Sequence, residues 1–349
     1  MSDTAKRRWW RRAAVAAVAL GLTLPLAACG SSEPDATDSS SSLPATIRIG
    51  YQIILNSDLV IKNQGLLEEA FGDQVKIEWL LFDSGPTMNQ AFVSNSLDIA
   101  MLGSSPTSRG LSNGIEYQVP WIFDVLGSAE GLAVKPEITS LEDLRGKTIA
   151  TPLASTAHYS MLAALENAGI PATEVNIIDS DPPAALAAWK AGQIDGAWVW
   201  NPSLSEILAD GGHLLVTNGD MADIGKATFD LAVISDAFVD KYPEAVQTWV
   251  DQQAQATQRI IDRDPAAIES IAAEAAITVE QVTEQLEGYI YLDAATQASQ
   301  QYLGGDLGLN LYESAQFNVD LGQLTSTSDQ QVYQDAVNPT FAAAAAEKV

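Results

Sequence analysis

Segments typical of strands and helices alternate in two successive runs along this chain. The first run covers residues 46–134, and the second begins near Ser140 and ends near Thr217. In both runs, short β-branched and apolar stretches precede helical stretches that start near Ser, Thr or Pro and end near Gly. This alternation predicts an α/β protein with two open, mostly parallel sheets, each covered by helices, and therefore two lobes.

After residue 230 the chain becomes rich in Ala and Gln and takes on helical periodicity. Helices are expected at 243–263, 265–275 and 278–287, with weaker ones at 311–319 and 329–346. We expect this block to pack on the first lobe. Lobe 1 is therefore assigned to residues 46–134 and 228–349, and lobe 2 to residues 135–227.

The N-terminal segment has the features of an export leader. Five basic side chains precede an apolar stretch that ends at residue 28 and is too short for a comfortable membrane span. Leu26–Cys29 resembles the bacterial lipoprotein box, which implies a signal peptide over residues 1–28 and a lipid on Cys29. Residues 29–45 would form a disordered tether. We expect export, by the general or the twin-arginine route, and attachment to the outer face of the membrane through the lipid alone.

Composition excludes several classes of partner. The chain has 18 basic and 45 acidic residues, a net charge of −27, which argues against binding to nucleic acid or anionic lipid headgroups. One cysteine and two histidines are present, without the spacing of a metal site or a nucleophilic motif. We therefore expect a monomer without metal, cofactor or catalytic residues, although a mechanism that uses carboxylates alone stays open.

Open α/β sheets bind ligands at the carboxyl ends of their strands. Most of these positions carry small, hydroxylated or helix-starting residues, and none of them carries Lys or Arg. The candidates are Gln52, Asp83, Ser84, Gly103, Ser104 and Ser105 in the first run, and Ser155, Thr156, Ala157, His158 and Trp200 in the second. Ser104–Ser105 and Ser155–Thr156 each precede a predicted helix, and the free N–H groups at the start of a helix suit an oxyanion. Ser and Thr are also ordinary N-caps, so capping alone is the alternative.

A sulfonate suits such neutral donors, because it stays ionised at every ordinary pH. An acidic protein repels a net anion, so a zwitterion whose ammonium cancels that charge is favoured. Asp230 would accept from the ammonium, or it is a solvated acid in a turn, and Trp200 would offer an aromatic face or pack in the core. His158 would donate to the sulfonate or occupy the first turn of its helix.

Five motifs, in this order and spacing, carry a resemblance to a known family. They are Phe82–Gly85, Leu102–Pro106, Ser155–Leu165, Pro182–Trp189 and Ile194–Trp200. From residue 47 to about residue 243 the chain resembles the taurine-binding proteins of ABC importers, within the wider nitrate/sulfonate/taurine-binding group. The last hundred residues match this group only loosely.

The resemblance implies a periplasmic-binding-protein type II fold, with a hinge and a ligand cleft between the lobes. It implies capture of a small sulfonate, taurine above all, and delivery to permease subunits driven by a separate ATPase. The chain departs from the family pattern at Trp198 and Asn201, which leaves isethionate and hypotaurine open. A family member with another ligand, such as an alkanesulfonate or nitrate, and an enzyme on the same scaffold are the alternatives.

Overall fold

The computed structural model describes residues 42–349. The predicted signal peptide, Cys29 and most of the predicted tether lie outside the described residues. None of the helices between residues 42 and 349 combines the length and the hydrophobicity that a transmembrane span requires.

The first run of elements forms most of one sheet, which is the sheet of lobe 1. Its elements are β1 (Thr46–Tyr51), α1 (Ser57–Gln64), α2 (Leu66–Phe71), β2 (Lys76–Leu81), α3 (Gly85–Val93), β3 (Ile99–Gly103), α4 (Ser104–Ser112) and β4 (Tyr117–Leu126). Strand β1 lies between β2 and β3 and is parallel to both. The helical segment over residues 57–71 is divided into two helices, because Gly65 adopts a φ of 66° and ends α1.

The second run forms a five-stranded sheet, which is the sheet of lobe 2. Its elements are β5 (Glu130–Val134), β6 (Thr148–Thr151), α5 (Thr156–Asn167), β7 (Asn176–Asp179), α6 (Pro182–Lys190), β8 (Gly196–Trp200), α7 (Ser203–Ala209), β9 (His213–Thr217) and α8 (Asn218–Asp223). The strand order is β7-β6-β8-β5-β9. Strand β6 is parallel to β7 and β8, and strand β5 is antiparallel to β8 and β9.

Strand β5 corrects one expected boundary. Residues 130–134 were assigned to lobe 1, but they pair with β8 and β9 in the second sheet. The chain therefore leaves the first sheet through Gly127–Ala129, right after β4. Nothing in the local pattern of this apolar strand marks the sheet to which it belongs.

The chain returns to the first sheet through β10 (Phe229–Ser235), which lies between β3 and β4 and is antiparallel to both. The remaining elements are α9 (Asp236–Lys241), α10 (Pro243–Ile261), α11 (Pro265–Ala275), α12 (Val279–Gln285), β11 (Tyr289–Ile290), α13 (Ala294–Gln297), α14 (Asp306–Asp320), α15 (Gln330–Ala336) and α16 (Thr340–Ala346). These helices pack against α1, α4 and β4. The helix expected over 329–346 is two helices, with Pro339 between them.

Large aromatic side chains fill the core beneath the first sheet. Trp121, Phe123 and Trp249 are fully buried, and the rings of Phe123 and Trp249 meet edge to face with centroids 6.1 Å apart. Burial of apolar surface contributes roughly 25 cal/mol per Å². In lobe 2, Trp198 is also buried, and its Nε1 donates to Oδ1 of Asn218 at 2.9 Å. These contacts hold the strand ends that surround the site.

The segment Gly127–Ala129, which connects the first sheet to the second, is hydrogen-bonded to a backbone carbonyl of the C-terminal block. The oxygen of Gly288 accepts from the N–H groups of Gly127 and Ala129, both at 3.1 Å. A Cβ on Gly288 would lie 2.5 Å from the backbone nitrogen of Ala129 and 2.9 Å from its Cα. Any side chain at position 288 would therefore push the crossing segment away.

We predict that Gly288→Ala lowers the free energy of unfolding by about 1–3 kcal/mol, because backbone atoms cannot move aside as a flexible side chain can. The matched control is Gly219→Ala, where the nearest atom to an added Cβ is 3.4 Å away. Urea unfolding measures both variants. Equal stabilities for the two variants would contradict the proposed role of Gly288.

Candidate functional site

The carboxyl ends of strands from both sheets surround a narrow cavity, in which the centre of a water molecule can move through about 10 Å³. Its lining residues are Gln52, Ile54, Gly85, Gly103, Pro106 and Asp230 from lobe 1, and Glu130, Ser155, Thr156 and Trp200 from lobe 2. Gln52 and Trp200 also line an adjoining space, in which it can move through about 170 Å³, together with Asp83 and Pro182. The lining side chains of both spaces include neither Lys nor Arg.

Three helices begin at this cavity. Helix α3 begins at Gly85, α4 follows Gly103 and α5 follows Ser155. The hydroxyl of Ser155 accepts from the backbone N–H of His158 at 3.2 Å, so α5 has a side-chain cap. Neither α3 nor α4 has a side-chain cap hydrogen bond. The first-turn N–H groups of α3 and α4, with the positive end of each helix dipole, therefore suit an anion.

Two buried acids face the same cavity from opposite lobes. Asp230 on β10 is 4% exposed, and Glu130 on β5 is 2% exposed. Glu130 accepts from Oγ1 of Thr156 at 2.8 Å and from Nδ2 of Asn218 at 2.5 Å. Oδ2 of Asp230 has no hydrogen-bond partner within residues 42–349. Of these two acids, Asp230 thus has a carboxyl oxygen that can accept a hydrogen bond from a ligand.

Burial disfavours the charged form of both acids. It raises the pKa of Asp230 to about 7. It also raises the pKa of Glu130 to about 8, helped by the negative charge of Asp230 and opposed by the hydrogen bonds from Thr156 and Asn218. An acid whose pKa is raised in this way gains from a bound cation, which replaces the lost hydration.

No described side chain supplies that cation. The ion pairs of residues 42–349 include neither Asp230 nor Glu130. The same part of the chain contains no group of three or more His, Cys, Asp or Glu side chains that could bind a metal ion together. Helix starts suited to an anion and unpaired acids suited to a cation therefore share one cavity. This combination is complementary to a zwitterion.

The structure places the sequence-predicted residues in two layers. Gln52, Gly103, Ser155, Thr156, Trp200 and Asp230 line the cavity, and Asp83 lines the adjoining space. Ser84, Ser104, Ser105, Ala157 and His158 are buried and do not line either space. The hydroxyl of Ser104 accepts from the backbone N–H of Phe229 at 3.2 Å, so it ties α4 to β10.

The surroundings of His158 favour its neutral form. Burial, and then the charge of Arg109, lower the pKa of His158 to about 4. Its Nδ1 accepts from the backbone N–H of Ala154 at 3.2 Å, which fixes the ring beside the start of α5. The imidazole therefore supports the helix start and adds no positive charge near the cavity.

Sequence reasoning missed Glu130 and its neighbour Asp124. Glu130 lies at the amino end of a strand that was assigned to the other lobe, whereas ligand-binding residues were expected at the carboxyl ends of strands. Asp124 interrupts the apolar run Val119–Leu126 and is fully buried. A single acid inside such a run is the signal that could have identified it, since unpaired carboxylates are rarely buried.

The two lobes are in close contact where α4 and α5 begin. A Cβ on Gly103 would lie 2.6 Å from Cγ2 of Thr156. Gly103 has φ −64° and ψ 158°, which alanine adopts without strain. Thr156 cannot simply rotate, because its hydroxyl donates to Glu130. Glycine at position 103 therefore permits this degree of closure.

We predict that Gly103→Ala shifts the protein toward an open state, because overpacking this contact costs about 1–3 kcal/mol only when the lobes are closed. Small-angle X-ray scattering should report a larger radius of gyration than for the unaltered protein. Adding Thr156→Ser should restore closure, since serine lacks the methyl group but keeps the hydroxyl for Glu130. An unchanged radius in the single variant would contradict this interpretation.

Comparison with known proteins identifies relatives of this chain. The model of the NMT1-like family matches residues 41–276. The taurine-binding periplasmic protein of Escherichia coli (strain K12) is 33% identical over 271 residues, which cover 76% of this chain and 83% of that protein.

Solved structures share the fold. The alkanesulfonate-binding protein SsuA from Xanthomonas axonopodis pv. citri, bound to MOPS, has a TM-score of 0.70 and 24% identity, covering 84% of this chain and 98% of that chain. The desulfurization enzyme DSZB has a TM-score of 0.61 and 17% identity, covering 87% and 99%. The predicted periplasmic-binding-protein type II fold is thus confirmed. Since the family model matches more than half of the chain and the E. coli relative covers most of it, the protein belongs to the NMT1-like family, together with the taurine-binding proteins that its motifs resemble.

Proposed function

We propose that this protein captures taurine outside the cytoplasm and delivers it to an ABC importer. One observation carries the proposal: Asp230 and Glu130 face a cavity at which three helices begin and which no cationic side chain lines. A small molecule with a permanent anion at one end and an ammonium at the other matches this cavity. The relationship to a taurine-binding periplasmic protein supports the same ligand.

The helix starts would bind the sulfonate. A sulfonate is weakly basic, so it gains more from several N–H donors than from one cation. The first-turn amides of α3 and α4 lack side-chain caps, and each helix end favours an anion by about 0.3–1 kcal/mol, and by more where it is partly buried. Thr156 uses its hydroxyl proton for Glu130, so its contribution to the anion would be its backbone N–H.

The acids would bind the ammonium and couple it to closure. Asp230 belongs to lobe 1 and Glu130 to lobe 2, so closing an empty cleft brings like charges together. At an effective dielectric constant of 20, two unit charges 4 Å apart interact by about 4 kcal/mol. An ammonium between the carboxylates turns this repulsion into attraction from both sides. The ligand therefore stabilises the closed state, which is the state that a transporter would recognise.

A sulfonate without an amine would fit this cavity poorly. It would leave Asp230 buried with an unpartnered oxygen and Glu130 without a countercharge, and an unsatisfied buried charged group costs more than about 1–3 kcal/mol. Alkanesulfonates are therefore the second candidate ligands, supported by the named ligand class of the structural relative. A catalytic role has less support, because residues 42–349 contain no cysteine and His158 is engaged with the backbone.

The export and anchoring of this protein are part of the proposal. Cys29 would carry the lipid, and the acidic segment that follows would act as the tether. The captured taurine would pass from a monomer to permease subunits with their ATPase. Labelling with a radioactive fatty acid tests the anchor, since Cys29→Ser should abolish incorporation.

We predict that isothermal titration calorimetry gives taurine a tighter dissociation constant than ethanesulfonate, which has the same sulfonate but no amine. Asp230→Asn should weaken taurine by about 10–100-fold, because a hydrogen bond to a charged group is worth about 1.5–3 kcal/mol. The same variant should not weaken ethanesulfonate, because this ligand has no ammonium that could bind to Asp230.

The control for this experiment is Asp223→Asn, which removes the same charge from an exposed position of α8. This variant should bind both ligands like the unaltered protein. Tighter binding of ethanesulfonate than of taurine would refute the proposed ligand. Equal losses for both ligands in Asp230→Asn would remove Asp230 from the ammonium site, and release of sulfite from either ligand would identify an enzyme.

A further inference from the structure

Asp124 is a buried acid directly behind the ammonium site. It lies on β4, opposite Asp230 in the antiparallel pairing of β4 with β10. Its side chain is 0% exposed, it does not line the cavity, and neither carboxyl oxygen has a hydrogen-bond partner within residues 42–349. Directly opposed residues have Cβ atoms about 4.5–5.5 Å apart on the same face of a sheet. Asp124 and Asp230 therefore place two carboxyl groups side by side in the core.

The groups around Asp124 supply no compensating positive charge. Asp230 from β10 and Glu130 from β5 are the ionisable side chains whose charges act on Asp124 in the described part of the chain. Tyr289 on β11 is buried, and its hydroxyl has no partner there. Helices α9, α10, α15 and α16, which also pack against β4, add no group that shifts the pKa of Asp124.

Cations and further phenols lie one layer away. Tyr291 follows β11, and its hydroxyl donates to the backbone carbonyl of Leu55. The charge of Arg263 reaches Tyr291, but the guanidinium of Arg263 is paired with Glu287 at 2.5 Å. The carboxyl groups of Asp124, Asp230 and Glu130 thus face one another without a cation among them.

Two adjacent buried carboxylates cannot both ionise at low cost. Burial, and then the charges of Asp230 and Glu130, raise the pKa of Asp124 well above its ordinary value. A proton held between Asp124 and Asp230 removes one charge and supplies one donor for the unpartnered oxygens. Dyads of this kind titrate as a unit and not as two independent residues.

We propose that Asp124 determines specificity without touching the ligand: it shares a proton with Asp230 in the empty cleft, and this proton leaves when an ammonium binds against Asp230 and Glu130. The O–H bond of the carboxylic acid breaks, the proton passes to the buffer, and the ammonium keeps its three protons. The exchange rests on the proposed capture of an ammonium-bearing sulfonate. This exchange requires a cationic group on the ligand, because an uncharged or anionic group beside Asp230 would leave the proton on the carboxyl pair.

Proton release links affinity to pH with a defined sign. The empty protein binds more protons than the complex, so the affinity for taurine rises with pH by up to about tenfold per unit. The rise should flatten above the titration range of the dyad. Ethanesulfonate lacks the ammonium, so its affinity should stay constant over the same range.

The experiment is calorimetry of taurine binding at pH 7 in phosphate and in Tris, whose ionisation enthalpies differ widely. For the unaltered protein, the two apparent enthalpies should differ by at least one released proton multiplied by the difference between the ionisation enthalpies of the buffers. In Asp124→Asn the number of released protons should fall and the pH dependence should become shallower, because the proton of the dyad is lost while Glu130 still releases its own, whereas Asp223→Asn should behave like the unaltered protein. Taurine binding with a buffer-independent enthalpy in the unaltered protein would overturn the proposal, and so would an unchanged number of released protons in Asp124→Asn.

A second measurement needs no ligand. The infrared difference spectrum of the unaltered protein minus Asp124→Asn, both without ligand at neutral pH, should contain the C=O band of a protonated carboxyl group. If this band is absent, Asp124 and Asp230 do not share a proton and the inference is wrong. If taurine binds all the same, the proposed function is unaffected. If the band is present but no amine-bearing sulfonate binds, the exchange and the proposed function fail together.

Asp124→Asn should fold. An acid whose pKa is raised by folding destabilises the native state progressively as pH rises from its unfolded value, near 4, through its native value. Removal of this carboxyl group should therefore stabilise the protein at pH 8 and have little effect at pH 4. Thermal unfolding at both pH values checks this, and the calorimetry of the unaltered protein tests the proposal without any variant.

Discussion

Carboxyl groups that face one another without a cation are the constraint on which this cavity depends. Asp230 is contributed by the strand that returns to the first sheet, and Glu130 by the strand that has just left it. The topology therefore brings acids from both lobes to one point. In a closed, empty cavity of this kind the carboxylates repel one another, so the closed state requires either protons on them or a bound cation. Ligand capture and lobe closure thus become the same electrostatic event.

The opposite end of the cavity uses another source of charge. Helices begin there with glycine or small residues, so that backbone N–H groups and helix dipoles replace Arg or Lys. A cationic side chain at this place would pair with Asp230 or Glu130 and close the cavity without any ligand. The absence of Lys and Arg from the lining is consequently part of the recognition: partial charges of a helix attract an anion but do not neutralise a nearby acid.

Local pattern predicted the lobes, and most helices and strands, because alternation and caps are properties of short segments. Gly65 shows the limit of this reasoning: its left-handed conformation divides a segment whose periodicity is continuous. The assignment of residues 130–134 to lobe 1 failed for a related reason, since the pairing partners of β5 lie more than sixty residues away. Asp230 was identified as an acid near the point where the chain returns to the first lobe, whereas Glu130 and Asp124 become neighbours only through strand pairing, which a single sequence does not specify.

The net charge of the whole chain and the buried acids disfavour the same class of ligands, those with a net negative charge. A net charge of −27 repels an anion before it reaches the cleft, and only a ligand with its own positive charge escapes this penalty. Inside the cavity the same discrimination acts at short range, where water is excluded and screening by salt is weak. If protons occupy the acids of the empty cleft, the interior does not add to the repulsion until an ammonium replaces them. Long-range exclusion and local exchange would then favour the same zwitterion by independent means.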